Sequence, residues 1–266
     1  MGLTTDQLCD RIGVDRSYVY GVLKDQIKPS TRLLEKAYSC AYEAGLRINS
    51  GKGEIYRELF GSSVLYLDCS DHLKADNFDI SRLNRDFGSG LCFSKDYNQA
   101  GSFVADAERG SVYVFRFEPS PLKGSVFHTD LDWMLLICHF REKLKAYEGH
   151  PILQRILDRI RDVDYVRAPI ADNKMFQVMR LFGDGEITTE EALHALSASN
   201  LGEQTVIKTQ AGIKALSFLD RLYVSEPEKR YFRSLGQERA AEVETKLKLA
   251  KREYRAKGQY IDEVFS

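Results

Sequence analysis

Over the first fifty or so residues, apolar positions recur at three and four: Leu8 and Ile12, then Val14, Val19, Val22 and Leu23, then Leu33, Leu34, Ala37, Ala41 and Ala44. That spacing places each set on one face of a helix. Thr5 and Asp15 stand where N-caps belong, Gly13 where a tight turn needs positive φ, and Pro29-Ser30 where one helix stops and the next starts. The pattern predicts a bundle of at least three short helices reaching about Asn49.

From about Gly61 to Glu226 the period changes. Ser111–Phe117 alternates over a β-rich run and stops before Pro119 and Pro121. Ser63–Leu67, Thr205–Lys208 and Ala215–Leu219 read as further strands. Helical segments are predicted over Tyr97–Asp106, Trp133–Tyr147, Pro151–Asp162, Asn173–Gly183 and Thr188–Ser197, the last opened by a capping box at Thr188 and Glu191. From Glu226 onward the chain is helix-forming and charged, with Val243, Leu247, Ala250 and Tyr254 as an apolar stripe, the signature of an amphipathic helix packed on a body or held for a partner. The expected organisation is a helical head (1–50), a mixed α+β body (61–225) and a charged helical tail (226–266).

Charge sharpens this division. The 266 residues carry 38 Lys and Arg against 39 Asp and Glu, so bulk charge does not favour coating of nucleic acid or membrane. Residues 1–52 hold eight basic against six acidic side chains and residues 226–266 hold ten against eight, which leaves the stretch between them near -5. The 43% hydrophobic and 29% charged fractions exclude a disordered or collagen-like chain. Cys9, Cys40, Cys69, Cys92 and Cys138 show no metal-ligand spacing, and His128 and His139 have no carboxylate at ligand spacing. Reduced thiols, no metal and no membrane partner are expected; the longest apolar run, Trp133–Cys138, is far too short to span a bilayer. The expected location is cytoplasmic.

The segment Leu3–Ser30 resembles the helix-turn-helix of the phage-repressor-like family, on Leu8, Gly13, Val14, Ser17, Val19, Leu23 and Pro29-Ser30. The resemblance implies a second helix lying in the DNA major groove, with Arg16, Ser17, Tyr18 and Tyr20 at base edges and Lys24 and Lys28 at phosphates, so that residues 15–28 would contact DNA. A balance of +2 is small for that task. Docking to a cognate protein, or dimerisation, stands as the alternative.

In the body, Asp86-Phe-Gly88 lacks every other element of a kinase: there is no Gly-rich loop, no Val-Ala-Ile-Lys strand and no His-Arg-Asp loop. A different set of segments occurs in order: Leu65-Tyr66-Leu67-Asp68-Cys69-Ser70, Asp86–Ala100, Asp132-Trp133, Ala168–Asn173 and Gly202–Val206. Together they resemble a bacterial ADP-ribosyltransferase-like family with motifs L-Y-H-G-S, D-F-G-x-G-F-Y and N-Q-I. The resemblance implies an ADP-ribosyltransferase-like fold and NAD as substrate, with Tyr66, Leu67, Gly90, Cys92, Phe93 and Ser94 at the dinucleotide and Glu203 and Gln204 at the catalytic position. A toxin–antitoxin or phage-defence setting is implied by the resemblance alone.

Cleaving the nicotinamide–ribose bond builds positive charge on the ribose, so a nearby carboxylate stabilises the transition state. A hydrogen-bonding His and a stacking ring would fix the geometry. Here Leu67 occupies the His position and Cys92 the Tyr position, and neither can take that role. Glu203 is the candidate carboxylate, with an exposed strand-end charge as the alternative; strand alternation should send one of Glu203 and Gln204 into the cleft and the other away. A body that has lost NAD chemistry and serves as a binding or regulatory module is the competing expectation.

Overall fold

A computed structural model of the protein describes residues 4–69, 83–84, 86–171, 173–197 and 202–266. Leu3, Ser70 and Asp172 of the motifs above lie outside them. The head is α1 (Thr5–Ile12), α2 (Arg16–Leu23), α3 (Thr31–Glu43) and α4 (Ile48–Phe60). Its small core joins Cys9, Ile12, Val19, Leu33 and Cys40. Asp15 caps α2 and Ser30 caps α3, and Gly13 takes φ 59° between α1 and α2. The α1 cap is Thr4 rather than Thr5, because Gln7, three residues beyond Thr4, closes a reciprocal capping box with it. The head also extends past Asn49: α4 escapes the periodicity argument because its buried positions are Asn49 and Gly53, while Ile48, Ile55 and Leu59 are exposed.

The body is mixed α+β. Its elements are β1 (Val64–Cys69), β2 (Leu83–Asn84), β3 (Gly88–Ser89), β4 (Leu91–Ser94), α5 (Tyr97–Phe103), β5 (Ser111–Phe117), β6 (Gly124–Val126), α6 (Leu131–Phe140), α7 (Pro151–Arg161), β7 (Tyr165–Pro169), α8 (Asn173–Gly183), α9 (Thr189–Ser197), β8 (Glu203–Ile207), α10 (Gln210–Lys214) and β9 (Leu216–Tyr223). Seven strands form one sheet in the order β6-β7-β8-β4-β1-β5-β9, parallel only between β6 and β7; β2 and β3 pair separately. The expected helix over Trp133–Tyr147 ends at Phe140, where Glu142 adopts φ 61° and breaks the ladder. Strands β4 and β6 are too short to show alternation, and β7 alternates in burial but not in a way its mixed polarity announces.

The sheet is covered unequally. On one face Val166, Ala168 and Val206 pack under α6 to α9, and Val64, Tyr66, Val112, Val114 and Leu222 pack under α5 and the tail. The run Trp133–Cys138 is wholly buried, as an all-apolar helix must be. The other face carries Leu65, Leu67, Phe93, Tyr113, Phe115, Phe117 and Ile207, with α10 and Leu122 against it. Its rings meet edge to face: Phe93 on Phe115 at 5.7 Å, Phe115 on Phe218 at 5.8 Å and Phe117 on Tyr165 at 5.3 Å.

The tail is one long helix, α11 (Glu226–Glu253), followed by α12 (Ile261–Val264). Val243, Leu247 and Ala250 enter the main core, and the Tyr254 ring lies 4.1 Å from that of His194. At its start Phe232 packs on Tyr97, and a Cβ at position 101 would stand 2.3 Å from the Phe232 ring, so Gly101 makes room for it. Head, body and tail meet at Glu228, which is buried: its carboxylate accepts from Tyr97 Oη and from Asn49 Nδ2, each at 2.8 Å. Among the described residues no helix is long and apolar enough to cross a membrane.

Asp86-Phe87 forms the turn ahead of β3 and is held from two sides. Arg141 Nε donates to Asp86 at 2.7 Å, both side chains being largely buried, while Arg141 also donates to Ala171 O and lies over the Phe176 ring. Lys208 Nζ donates to Phe87 O at 2.7 Å, and burial pushes its pKa down. The Asp-Phe-Gly segment is thus a clamp between α6 and β8.

Asp86→Ala should cost about 3–5 kcal/mol by leaving Arg141 buried without its carboxylate, whereas Asp86→Leu with Arg141→Met should recover most of that loss; chemical denaturation of the two variants tests it. Burial raises the Glu228 carboxyl, so its contribution to stability is full below the ordinary carboxyl range and falls as pH rises through the raised folded value. The unfolding free energy of wild type minus that of Glu228→Gln should therefore fall between pH 4 and pH 7, and a rise would contradict the assignment. Glu228→Ala, which takes the acceptor from Tyr97 and one of two acceptors from Asn49, should lose about 2–4 kcal/mol at the acid end of that range.

Candidate functional site

The three motif strands, separated widely in sequence, are neighbours in the sheet: β8, β4 and β1 lie side by side. Tyr66 pairs with Ser94, and Ser94 pairs in turn with Gln204. Directly paired residues share a face, so Tyr66, Ser94 and Gln204 point the same way, with Cys92 two residues from Ser94 on that face. Leu67 and Phe93, one step out of phase, point to the opposite, aromatic face.

Most of the expected dinucleotide contacts are therefore interior. Tyr66 is fully buried, its hydroxyl donating to Gly53 O at 3.2 Å and its ring meeting Tyr97 edge-on. Leu67 is 5% exposed, and Phe93 and Ser94 are buried. Gly90 is also buried, at φ 154°, and a Cβ there would stand 2.6 Å from Val206 Cγ1 and 2.9 Å from Ile207 O, so only glycine lets β4 approach β8 at this bend. Cys92 is half-buried and its thiol donates to Gln204 Oε1 at 2.9 Å. The positions matched to the family's His and Tyr thus lie on opposite faces of the sheet.

Alternation separates the catalytic candidates in the same way. Gln204 is buried and spans the junction of β4, β7 and β8, accepting from Cys92 and donating through Nε2 to Pro169 O at 3.1 Å. Glu203, at the head of β8, is 41% exposed and accepts from Lys95 Nζ at 2.9 Å. It opens onto a polar groove of about 470 Å³ lined by Arg57, Lys95, Asp96, Asn98, Gln99, Gly202, Glu203 and Arg239. Asp96 caps α5 through Asn98 N and Gln99 N and pairs with Arg57 at 3.1 Å. Among the described residues the groove thus holds three cations and two carboxylates.

Arg57 and Arg239 lie outside every motif segment, and Lys95, Asn98 and Gln99, though inside Asp86–Ala100, were not named as site residues. They come from α4, the β4–α5 turn, α5 and α11, and no local pattern connects them.

In the head, three of the six residues assigned to DNA have internal partners. Arg16 pairs with Asp10 at 3.0 Å and Asp6 at 3.4 Å, which raises the guanidinium pKa. Ser17 donates to Asp15, and the Tyr18 hydroxyl accepts from Ser30 N at 2.7 Å. Tyr20, Lys24 and Lys28 are exposed, beside an exposed Leu23 and Ile27.

All five cysteines are free thiols, and burial pushes that of Cys138 up to about 12. Among the described residues no three His, Cys, Asp or Glu side chains gather as a metal site requires.

No curated protein and no solved structure matches the chain. A family described as "Protein of unknown function (DUF3990)" matches residues 64–218, the stretch from the start of β1 into β9. That stretch is more than half of the sequence, so the chain belongs to this family.

Proposed function

We propose that the protein is an ADP-ribosyltransferase-like protein that uses NAD as substrate, with Glu203 as the acidic residue of the site. The observation that supports this reading is the convergence of the motif strands β1, β4 and β8, with Glu203 as the motif carboxylate that opens onto a groove. In the reaction the nicotinamide–ribose bond breaks, nicotinamide leaves with the bonding electrons, and an acceptor nucleophile adds to the ribose and loses its proton. A carboxylate held at the groove stabilises the positive charge that builds on the ribose. Lys95 donates to the Glu203 carboxylate at 2.9 Å and fixes its direction. Gln204 acts behind it, as a buried tie between β4 and β7.

A second reading is favoured by the burial of Tyr66, Leu67, Phe93 and Ser94. In it the body is a non-catalytic binding module and the head an adaptor that meets DNA, or a cognate protein, through the exposed side chains Tyr20, Lys24 and Lys28.

Labelled NAD separates the two readings. Under the first, label transfer or nicotinamide release should fall about 10²–10³-fold in Glu203→Gln, the usual loss when one transition-state charge partner is removed. Wild-type protein that neither binds nor turns over NAD would sink it. For the adaptor, DNA affinity should weaken linearly with log salt, and Lys24→Ala with Lys28→Ala should lower that slope by about two; a flat salt response leaves protein docking in its place.

A further inference from the structure

We infer that the groove at Glu203 is a composite anion site that takes a diphosphate group, free or carried on a nucleotide, and that the head and the tail each complete it with one arginine. The inference goes beyond NAD chemistry and does not depend on it. The family match covers residues 64–218, yet Arg57 comes from α4 before it and Arg239 from α11 after it. The matched body supplies Lys95, Asn98 and Gln99 from the other side.

Charge and geometry point to phosphate. Residues 53–225 are acidic overall, near -5, yet among the described lining residues Arg57 and Lys95 balance Asp96 and Glu203, and Arg239 from the tail tips the groove to the positive side. Arg57 is engaged by Asp96 and Lys95 by Glu203, in pairs whose side chains are all 41–55% exposed. Exposed pairs of this kind are worth only about 0–1 kcal/mol, so ligand oxygens can replace the carboxylates at small cost. Arg239 has no carboxylate partner among the described residues. A guanidinium fork binds phosphate oxygens two at a time, and three cations set around one groove suit a group with several charged oxygens better than a single carboxylate. The volume of about 470 Å³ would admit a nucleotide. Among the described residues the lining contains no aromatic or aliphatic side chain on which a base could stack, which favours recognition of the phosphates over the base.

The test is calorimetric titration of the full chain with three probes: inorganic diphosphate, ADP and adenosine. Diphosphate and ADP should bind within about threefold of one another, adenosine should not bind, and affinity should fall as salt rises. Arg239→Gln and Arg57→Gln should each weaken diphosphate at least about tenfold while leaving the melting temperature of the unliganded chain in place, since Arg57 is exposed and Arg239 only partly buried. Absence of diphosphate binding at millimolar concentration, equal binding of ADP and adenosine, or affinity unchanged in both variants would overturn the inference. Diphosphate binding without NAD turnover upholds it and removes the enzyme reading; NAD turnover with diphosphate binding indifferent to both arginines does the reverse.

Discussion

The arrangement of this chain depends on one buried carboxylate. Glu228 stands where α4, α5 and α11 meet, and it is tolerated there because Asn49 and Tyr97 each give it a hydrogen bond. An ionisable group without such partners would be expelled or neutralised. Its neighbour Lys229 is buried as well, with Nζ donating to Ala107 O and Glu108 O, so two successive residues of opposite charge are satisfied by different parts of the body. Phe232, admitted by Gly101, adds the apolar half of the same anchor. Hydrophobic burial alone would let a helix slide or rotate; directional bonds from three segments fix where α11 begins.

The arrangement of the sheet explains why the motif residues give an uneven site. Strand order brings β1, β4 and β8 together, but the alternation of side chains then divides their residues between two faces. Leu67 joins a layer of Leu65, Phe93, Tyr113 and Phe115 that is apolar but for one phenol. Cys92 bonds to Gln204 instead of presenting a ring. The two substitutions agree with their surroundings, and what remains polar and open is the strand end at Glu203. The Asp-Phe-Gly segment follows the same logic: its aspartate is occupied by Arg141 and its carbonyl by Lys208, which makes it a piece of the frame.

Local chemistry was legible in the sequence wherever it dominates. The caps at Asp15, Ser30 and Thr188, the turn at Gly13, the alternating strand Ser111–Phe117 and the buried helix around Trp133 could all be read from neighbours in the chain. The helix α4 could not, because its core-facing positions are Gly53 and Asn49, and the side-chain partners of Asn49 lie 174 and 179 residues away. Strand β7 could not either: five residues of mixed polarity become a strand only because β6 and β8 flank them. The groove was invisible for the same reason. Glu203 could be named from a motif, but Arg57 and Arg239 reach it only through tertiary packing.

Helix α4 joins two of these features mechanically. Asn49 and Arg57 are eight residues apart on one continuous helix, about 12 Å at the standard rise, and they point to different sides of it. One end is pinned at the Glu228 junction and the other places a guanidinium at the groove. A short helix transmits displacement as a rigid lever, so a tilt or rotation of the head about its own core carries Arg57 with it. The position of that charge is set as much by what the head touches as by the groove it lines.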